Sequence, residues 1–551
     1  ADIAAARALC EVDAEEQALL EGTARPIVLL RRDDAAGETA DGGSAASSAG
    51  GEGGADDASS APSRAPAEDC MSAGPAAAGT TPAADVLAPS IAPGLREVGV
   101  MLPYTPLHHL LVRAAGVPLV MTSGNLSDEP IATGNAEALA RLAGIADAFL
   151  MHDRGIRSRY DDSVVRVVRG RFESVRRARG YAPYPLRLPH PSDAHVLAVG
   201  PEQKNTFTLV REDLAFVSQH IGDMENAETM EGFEDTLALY ERLFRIEPEL
   251  VAHDLHPEYL STKYAMTLDL PKVGVQHHHA HIAGVSGEHG VAERVIGIAL
   301  DGTGYGDDGH IWGGEVLLAD WCGYERFAHL REVPMPGGAG AIRRPARMAV
   351  GTLAALGLLE HPGAGPLRSR LAEGEEALLL TMVERGVNSP PTSSMGRLFD
   401  TVAALAGVRD DALYEGQAAI ELEACADPSE TGAYAFGLGD GAPVVIDPAP
   451  VIEALLDDMA RGVQAPIVSA RFHRAVVDAI VAVASAAADR TGIRTVAVAG
   501  GVFMNRLILG GTLDTLTKEG LVPLTHLNLP LNDAAVSFGQ AVVACARRRA
   551  L

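Results

Sequence analysis

The chain has 551 residues, with 45 Lys and Arg against 73 Asp and Glu, a formal net charge of -28. Such an excess of negative charge argues against a general nucleic-acid or anionic-membrane binder, because like charge repels phosphate. No apolar run approaches the ~18 residues of a membrane-spanning helix. The first residues, ADIAAARALCEVDAEEQ, lack the basic and hydrophobic segments of a signal peptide. Cys10, Cys70, Cys322, Cys425 and Cys545 are scattered and form no CxxC pair. Neither a disulfide framework nor a cysteine-rich zinc module is expected, and a reducing cytoplasm is the expected compartment.

At ~150 residues per domain the length allows three or four units, fewer if they are large α/β domains. Residues 1–34 read as a helix followed by an apolar strand, Pro26–Arg32. From about Asp33 to Asp85 the chain is Gly, Ala, Ser, Asp and Pro with almost no large apolar residue. Such a stretch cannot bury enough surface to offset its chain entropy, so 38–84 is expected to lack fixed structure. Then come a strand over Pro118–Asn125, a helix around Ala136–Leu142 and a strand within Asp161–Gly170. The Pro-rich stretch Tyr181–Asp193 reads as a linker.

A second region opens at HVLAVG (His195–Gly200). Short apolar strands ending in Gly and Asp turns follow, through RVIGIALDGTGYG and IWGGEVLLAD. A mainly helical stretch from about Arg344 to Ala460 precedes another strand and turn, TVAVAGGVFMN (Thr495–Asn505), and final helices. Sheet, helices and sheet again predict a two-lobed α/β domain with a cleft between lobes. No short-period repeat is visible.

The densest chemical signal is VQHHHAHIAG (Val275–Gly284). A strand ending at Gln276 and a helix beginning there place His277 and His281 at i and i+4, on one face, a spacing suited to two imidazoles on one metal. His278 and His279 point elsewhere. Two imidazoles rarely complete a site, so carboxylates are needed. Asp301, at the end of an apolar strand, and Asp533, before a helix, are candidates, although turn aspartates are common. Mixed His and Asp ligation suits zinc or iron(II), with magnesium possible beside nucleotide phosphates. The turns Asp301-Gly302-Thr303-Gly304 and Ala499-Gly500-Gly501-Val502 each follow an apolar strand and can bring backbone N–H groups to an anion. Lys204, in the turn GPEQKNTF, can add a cation to the same cleft, or be an ordinary solvated lysine.

The ordered set VQHHHAHIAG, ALDGTGYGDDGHIWGGE, SSMGRLFD, YEGQAAIELE, GGVFMNRLI and NDAAVSFGQ resembles the C-terminal half of HypF carbamoyltransferases. That half is similar to the actin-like ATPase superfold shared with the universal tRNA threonylcarbamoyl transferases. Residues Val86–Gly180, with MTSGNLSDEPI, HDRGI, DDSVVRV and RRARGY, resemble the YrdC-like adenylating domain. The resemblance implies an α/β chain with a YrdC-like domain over 1–190 and an actin-like transfer domain over 195–551. It implies ATP and carbamoyl phosphate as substrates and a carbamoyl-adenylate made with release of pyrophosphate. The carbamoyl group then passes to the C-terminal cysteine of a HypE-type acceptor, toward the cyanide ligand of [NiFe]-hydrogenase. By the same resemblance His277, His281, Asp301 and Asp533 are the metal ligands. Asp400 and Gly416 hold the nucleotide ribose, and Asn505 holds the nucleotide end beyond the Gly500-Gly501 turn. Ser123, Asn125, Ser163, Arg177 and Arg179 line the phosphate site of the first domain. Asp301, Asp400 and Lys204 are the candidates for catalytic roles.

Departures matter too. An acylphosphatase domain and paired CxxC zinc module are not found, and the chain reads as beginning inside the YrdC-like domain. Its four lysines are Lys204, Lys263, Lys272 and Lys518. The family's early phosphate-binding lysines therefore have no counterpart, and adenylation by this chain is expected to be impaired. In PMPGGAGAIRRPARMA (Pro334–Ala349) an acidic residue is expected where Ala339 or Arg344 stands, and an aromatic where Ala346 stands. A small-molecule O-carbamoyltransferase, a tRNA threonylcarbamoyl transferase-like enzyme and a non-catalytic ATP switch are the competing readings. The composition of 38–84 yields a first prediction: its amides should exchange with solvent deuterium without measurable protection, and protection comparable to core strands would contradict the reading.

Overall fold

The computed structural model describes residues 2–32, 87–126 and 129–550. The stretch 38–84, expected to lack fixed structure, lies outside the described residues. Two short helices, Ile3–Arg7 and Ala14–Glu21, precede the first strand in place of the single helix expected. Asp13 accounts for the break: its side chain accepts from the Glu16 N–H while Glu16 reaches back to the Asp13 N–H, a reciprocal cap that starts a new helix.

Among the described residues, three sheets follow one another along the chain. The first comprises β1 (Ile27–Arg31), β2 (Glu97–Val100), β3 (Val164–Val168) and β4 (Arg171–Arg176), in the order β2-β1-β3-β4. Alternation sends Val28 and Leu30 into a small core with Leu20 and Val165. The strand expected over Pro118–Asn125 does not form; Val120 and Met121 are exposed there. An apolar run becomes a strand only where a neighbouring strand pairs its backbone, and none of the described residues does so. The expected helix is present as Asn135–Leu142.

The second sheet holds β5 (Leu186–Arg187), β6 (Val196–Ala198), β7 (Thr208–Arg211), β8 (Leu214–Val217), β9 (Leu250–Asp254) and β10 (Lys272–Val275). The Pro-rich stretch read as a linker thus contributes an edge strand, pairing with β8. The third sheet holds β11 (Val295–Tyr305), β12 (Ile311–Ala319), β13 (Tyr324–Leu330), β14 (Val333–Pro334), β15 (Pro391–Thr392), β16 (Gly437–Leu438), β17 (Val444–Asp447), β18 (Thr495–Ala499) and β19 (Val522–Leu524). Its central run β13-β12-β11-β18-β19 has the order and sense of β8-β7-β6-β9-β10. In both, three antiparallel strands are continued by two parallel ones. The chain is therefore α/β, a four-stranded sheet domain followed by two topologically equivalent lobes, the architecture that the family resemblance implies.

Two helices tie the lobes together. The His277–Glu288 helix connects β10 of one lobe to β11 of the other. The last helix, Val536–Ala550, returns to the first lobe and buries Val536, Phe538 and Val542 with Val196, Val210 and Ala252. These two helices touch backbone to backbone: a Cβ on Gly539 would lie 1.8 Å from the Ala280 carbonyl oxygen. On its other side the first of these helices presses Ile282 against Gly297 of β11, where a Cβ would meet it at 2.6 Å. The first domain is fastened to the second lobe. Buried Arg166 of β3 pairs with Glu173 of β4 at 2.8 Å and donates to the Met504 carbonyl. Arg506 donates to the Val167 carbonyl at 3.0 Å and pairs with Glu97 at 2.6 Å.

Because no side chain fits between the two helices, Gly539→Ala should destabilise the protein by at least the ~1–3 kcal/mol of an overpacked core. Urea unfolding followed by circular dichroism reads this; an unchanged midpoint would show that the helices separate without cost.

Candidate metal and nucleotide site

Gln276 caps the His277–Glu288 helix by accepting the His279 N–H at 2.9 Å, so the helix starts at the first histidine of the cluster. His277, His278, His279 and His281 are all fully buried. The i, i+4 pair turns to the lobe junction, where Asp301 and Asp533 join it. His281 Nε2 lies 3.0 Å from Asp301 Oδ2 and 3.5 Å from Asp533 Oδ1; His277 Nε2 lies 3.7 and 3.6 Å from the same atoms. Ligand atoms around a tetrahedral ion with bonds of ~2.0–2.1 Å sit about 3.3 Å apart, so this spacing fits a metal. His277 Nε2, His281 Nε2 and Asp301 Oδ2 are buried without a hydrogen-bond partner, as ligand atoms facing an ion would be. The burial of each group opposes its charge. Attraction overrides this: the imidazoles of His277 and His281 are held above their ordinary value, and the carboxyls of Asp301 and Asp533 below theirs.

Asp301 does not end its strand as expected. β11 continues to Tyr305, and its register with β12 shifts between Leu300 and Gly304. The glycines make that irregularity possible, and the bulge re-aims Asp301 into the junction. Gly304 also leaves room for His278, whose ring would come within 2.3 Å of a Cβ there. Burial, then the neighbouring His277, keeps His278 neutral far below its ordinary value; burial brings His279 down to about 4. His279 binds the Asp320 carbonyl at 2.7 Å, away from the cluster.

Sequence reasoning missed Asp254, at the end of β9. Its Oδ2 lies 2.9 Å from His277 Nδ1, and its Oδ1 accepts the His256 N–H at 2.9 Å. Asp254 is fully buried and fixes the tautomer that leaves His277 Nε2 facing Asp301 and Asp533. Its only trace in the sequence is an aspartate closing the apolar strand LVAHD, a pattern too common to single out.

On the other side of the junction, the Met395–Leu405 helix carries Asp400, whose carboxyl burial pushes up to about 6 against the pull of Arg397. Gly416, in the left-handed region at φ 74, starts the Gln417–Cys425 helix. The adjacent Glu415 forms an ion pair with Lys204 across the lobes. Burial works against the Lys204 charge, but Glu415 and Asp533 raise its pKa. Gly501 packs against Asp301, where a Cβ would sit 3.1 Å from Oδ1; a Cβ on Gly500 would strike the Leu300 carbonyl at 2.2 Å. The backbone of Gly302 donates to the Asp301 carboxylate at 2.7 Å. Asn505, in contrast, is occupied as a helix cap. Its Oδ1 accepts from Leu507 and Ile508 at 3.0 and 3.1 Å, and its Nδ2 donates to His473 at 2.8 Å.

Ser123 and Asn125 line a cavity of about 650 Å³ between the first domain and the first lobe, and Lys204 lines it as well. The structure does not bring Ser163, Arg177 and Arg179 to it. Ser163 donates to the Arg179 carbonyl at 2.9 Å. Arg177 is buried, held down to about 10 by burial, and spends its donors on the carbonyls of Val217, Tyr181 and Tyr184. Arg179 pairs with Asp162, donates to the Ala24 and Arg25 carbonyls and stacks on Tyr104. Besides Lys204, the cations that do line the cavity are Arg157, Arg159, Arg176 and Arg242. Arg157 and Arg159 lie in the run RGIRSRYDD, to which sequence reasoning assigned no role. In the stretch that departs from the family pattern, Arg344 pairs with Glu375 and Asp411 rather than facing the cluster.

Three family models match successive parts of the chain. The Sua5/YciO/YrdC model, described as telomere recombination, covers 70–178; the HypF Kae1-like domain covers 191–288; the carbamoyltransferase Kae1-like domain, second subdomain, covers 297–540. The solved structure of full-length HypF in the phosphate- and nucleotide-bound form matches with a TM-score of 0.86 and 39% identity, over 99% of this chain and 78% of that one. The chain belongs to the HypF carbamoyltransferase family. Carbamoyltransferase HypF2 of Cupriavidus necator is 43% identical over 509 residues, 83% of this chain and 62% of that protein. A carbamoyltransferase HypF homolog of the same organism is 38% identical over 377 residues, 65% of this chain and 93% of that protein. The chain thus spans 62% and 61% of the length of two full-size HypF relatives.

If the cluster binds metal, His277→Ala and His281→Ala should each remove most of it, and His279→Ala little. Asp254→Asn, which keeps all four ligand atoms, should weaken metal affinity by about 10- to 100-fold. Elemental analysis after dialysis against graded chelator reads both; full metal retention by the His277/His281 double variant would eliminate the site.

Proposed function

We propose that this chain transfers a carbamoyl group from carbamoyl-adenylate to the thiol of a HypE-type C-terminal cysteine. The observation that carries the reading is the convergence of His277, His281, Asp301 and Asp533 at the lobe junction, beside Lys204. Lys204 also lines the cavity shared with Ser123 and Asn125. One lysine therefore belongs both to the chamber where the first domain would offer an acyl-adenylate and to the surroundings of Asp533. The structural relative was solved with phosphate and nucleotide bound, which supports a nucleotide here too.

In this reading the four ligands hold a divalent ion, zinc or iron(II), which supplies Lewis acidity to an acyl oxygen. The chain's own residues do the rest. Asp254 keeps His277 in the ligating tautomer. Asp400 and the Gly416 turn hold the ribose. The Gly500-Gly501 turn offers backbone N–H donation to the phosphate. Lys204, kept charged by Glu415 and Asp533, stands where negative charge moves onto the departing AMP. The acceptor enters as thiolate; its sulfur bonds the carbamoyl carbon as the bond from that carbon to the phosphate oxygen breaks. In the first domain Ser123, Asn125 and the arginines of the cavity would hold the nucleotide during adenylation, with carbamoyl phosphate as the carbamoyl source. No membrane-crossing helix is present among the described residues.

Supplied with preformed carbamoyl-adenylate, the protein should carbamoylate a HypE-type acceptor at its C-terminal cysteine, read by mass spectrometry. It should leave tRNA and small hydroxyl acceptors unmodified. Asp301→Ala should slow the transfer by on the order of 10²–10³. Transfer to a tRNA or a small hydroxyl in place of the thiol would overturn the assignment of the acceptor.

A further inference from the structure

The Met395–Leu405 helix begins against the Asp301–Gly302 turn, and one of its side chains is left unanswered there. Ser394, its N-cap, accepts the Arg397 N–H at 3.1 Å and donates to the carbonyls of Asp301 and Gly302 at 2.9 and 2.8 Å. Gly396 allows this contact, since a Cβ there would meet Gly302 Cα at 2.9 Å. The helix N-terminus is thereby pinned to the glycine-containing bulge of β11. The next residue, Arg397, is 5% exposed. Its Nη2 lies 3.7 Å from the place a Cβ on Gly302 would occupy. Its Nε and Nη1 are buried with no hydrogen-bond partner.

A guanidinium has five N–H donors and no way to shed its charge, so a buried one is ordinarily surrounded by acceptors. Other buried arginines of this chain follow that rule: Arg166 is paired with Glu173, and Arg177 donates to three carbonyls. Among the described residues Arg397 has only Asp400, whose Oδ2 is 3.1 Å from Nε but off hydrogen-bond alignment, and that oxygen is itself left without a partner there. A structural ion pair would have closed to good geometry in a buried site. What remains is a cation with open donors in the first turn of a helix, beside the β11 bulge, and both the cation and the helix N-terminus favour an anion. The planar fork matches phosphate oxygens.

We propose that Arg397 binds the phosphoryl oxygens of the nucleotide in the lobe junction, with Asp400 left to the sugar. The inference rests on the proposed nucleotide site and adds a residue to it that sequence reasoning had not assigned.

Calorimetric titration of the full chain with AMP and with adenosine tests it. Wild type should bind AMP more tightly than adenosine. Arg397→Gln should weaken AMP by about 10- to 100-fold, the loss of one or two charge-assisted hydrogen bonds, and change adenosine by less than about 3-fold. Arg397→Lys, which keeps the charge and loses the fork, should fall between on AMP and serves if the glutamine variant does not fold. Metal content should stay unchanged in both variants. Equal losses for AMP and adenosine would mean that Arg397 only positions Asp400, and the proposal would fall while the nucleotide site survives. Wild-type protein that binds neither ligand would overturn the nucleotide site, and this inference with it.

Discussion

Four imidazoles fully buried in the first two turns of one helix set the terms for everything around them. Desolvation disfavours charge on each, and an unpaired polar ring in the interior is costly. Each ring has to be answered differently. His277 and His281 are answered by carboxylates from three separate segments, Asp254, Asp301 and Asp533. His279 takes a carbonyl, and His278 stays neutral under Gly304. The helix can sit deep enough for this only because Gly297 and Gly539 let it press on β11 and on the last helix. Glycine contacts and charge neutralisation are thus one device: the first brings the rings in and the second makes their burial tolerable.

The two lobes and the first domain meet at this point rather than lying in series. Asp301 comes from the second lobe, His277 and His281 from the crossover helix, and Asp533 from the segment returning to the first lobe. The first domain reaches the same segment: Asn532, beside Asp533, donates to the Val175 carbonyl of β4 at 3.1 Å, and Ser174 bridges to Pro530. Arg166 and Arg506 reinforce that junction by satisfying carbonyls across it, which is how buried guanidinium groups are best accommodated. A rigid backing of this kind keeps the ligand atoms of a metal or nucleotide site within the few tenths of an ångström that such chemistry requires.

The arginines divide along the same logic. Those that end up fully satisfied, such as Arg177 and Arg179, act as fasteners between segments far apart in sequence. Others line the inter-domain cavity with donors to spare: Arg159 and Arg176 spend their Nε groups on the Ile131 and Asp162 carbonyls, and Arg157 lies beside them. Residue type alone does not separate the two groups, since all are arginines near Gly- or Asp-containing turns. The lobes present the same difficulty. They share strand order and sense, yet no repeat is visible in the sequence, because what is repeated is topology, and many different apolar residues satisfy one topology.

Local pattern was enough for some features and not for others. The i, i+4 histidine pair, the apolar strands of both lobes and the ordered motifs that mark the family were legible, because periodicity and short-range spacing are properties of consecutive residues. Asp301 and Asp533 were recognisable as candidates, since both sit at turns beside apolar segments. Partnership was not legible. That Asp254 orients His277, that the Asn505 amide donates to His473, that Ser163 bonds the backbone of Ala178 and Arg179 and that Arg177 reaches the Val217 carbonyl are facts about neighbours 15 to 40 residues away in the chain, and no strand among the described residues pairs with Pro118–Asn125. A side chain's chemistry depends on which donors and acceptors reach it, and only the tertiary structure decides who reaches whom.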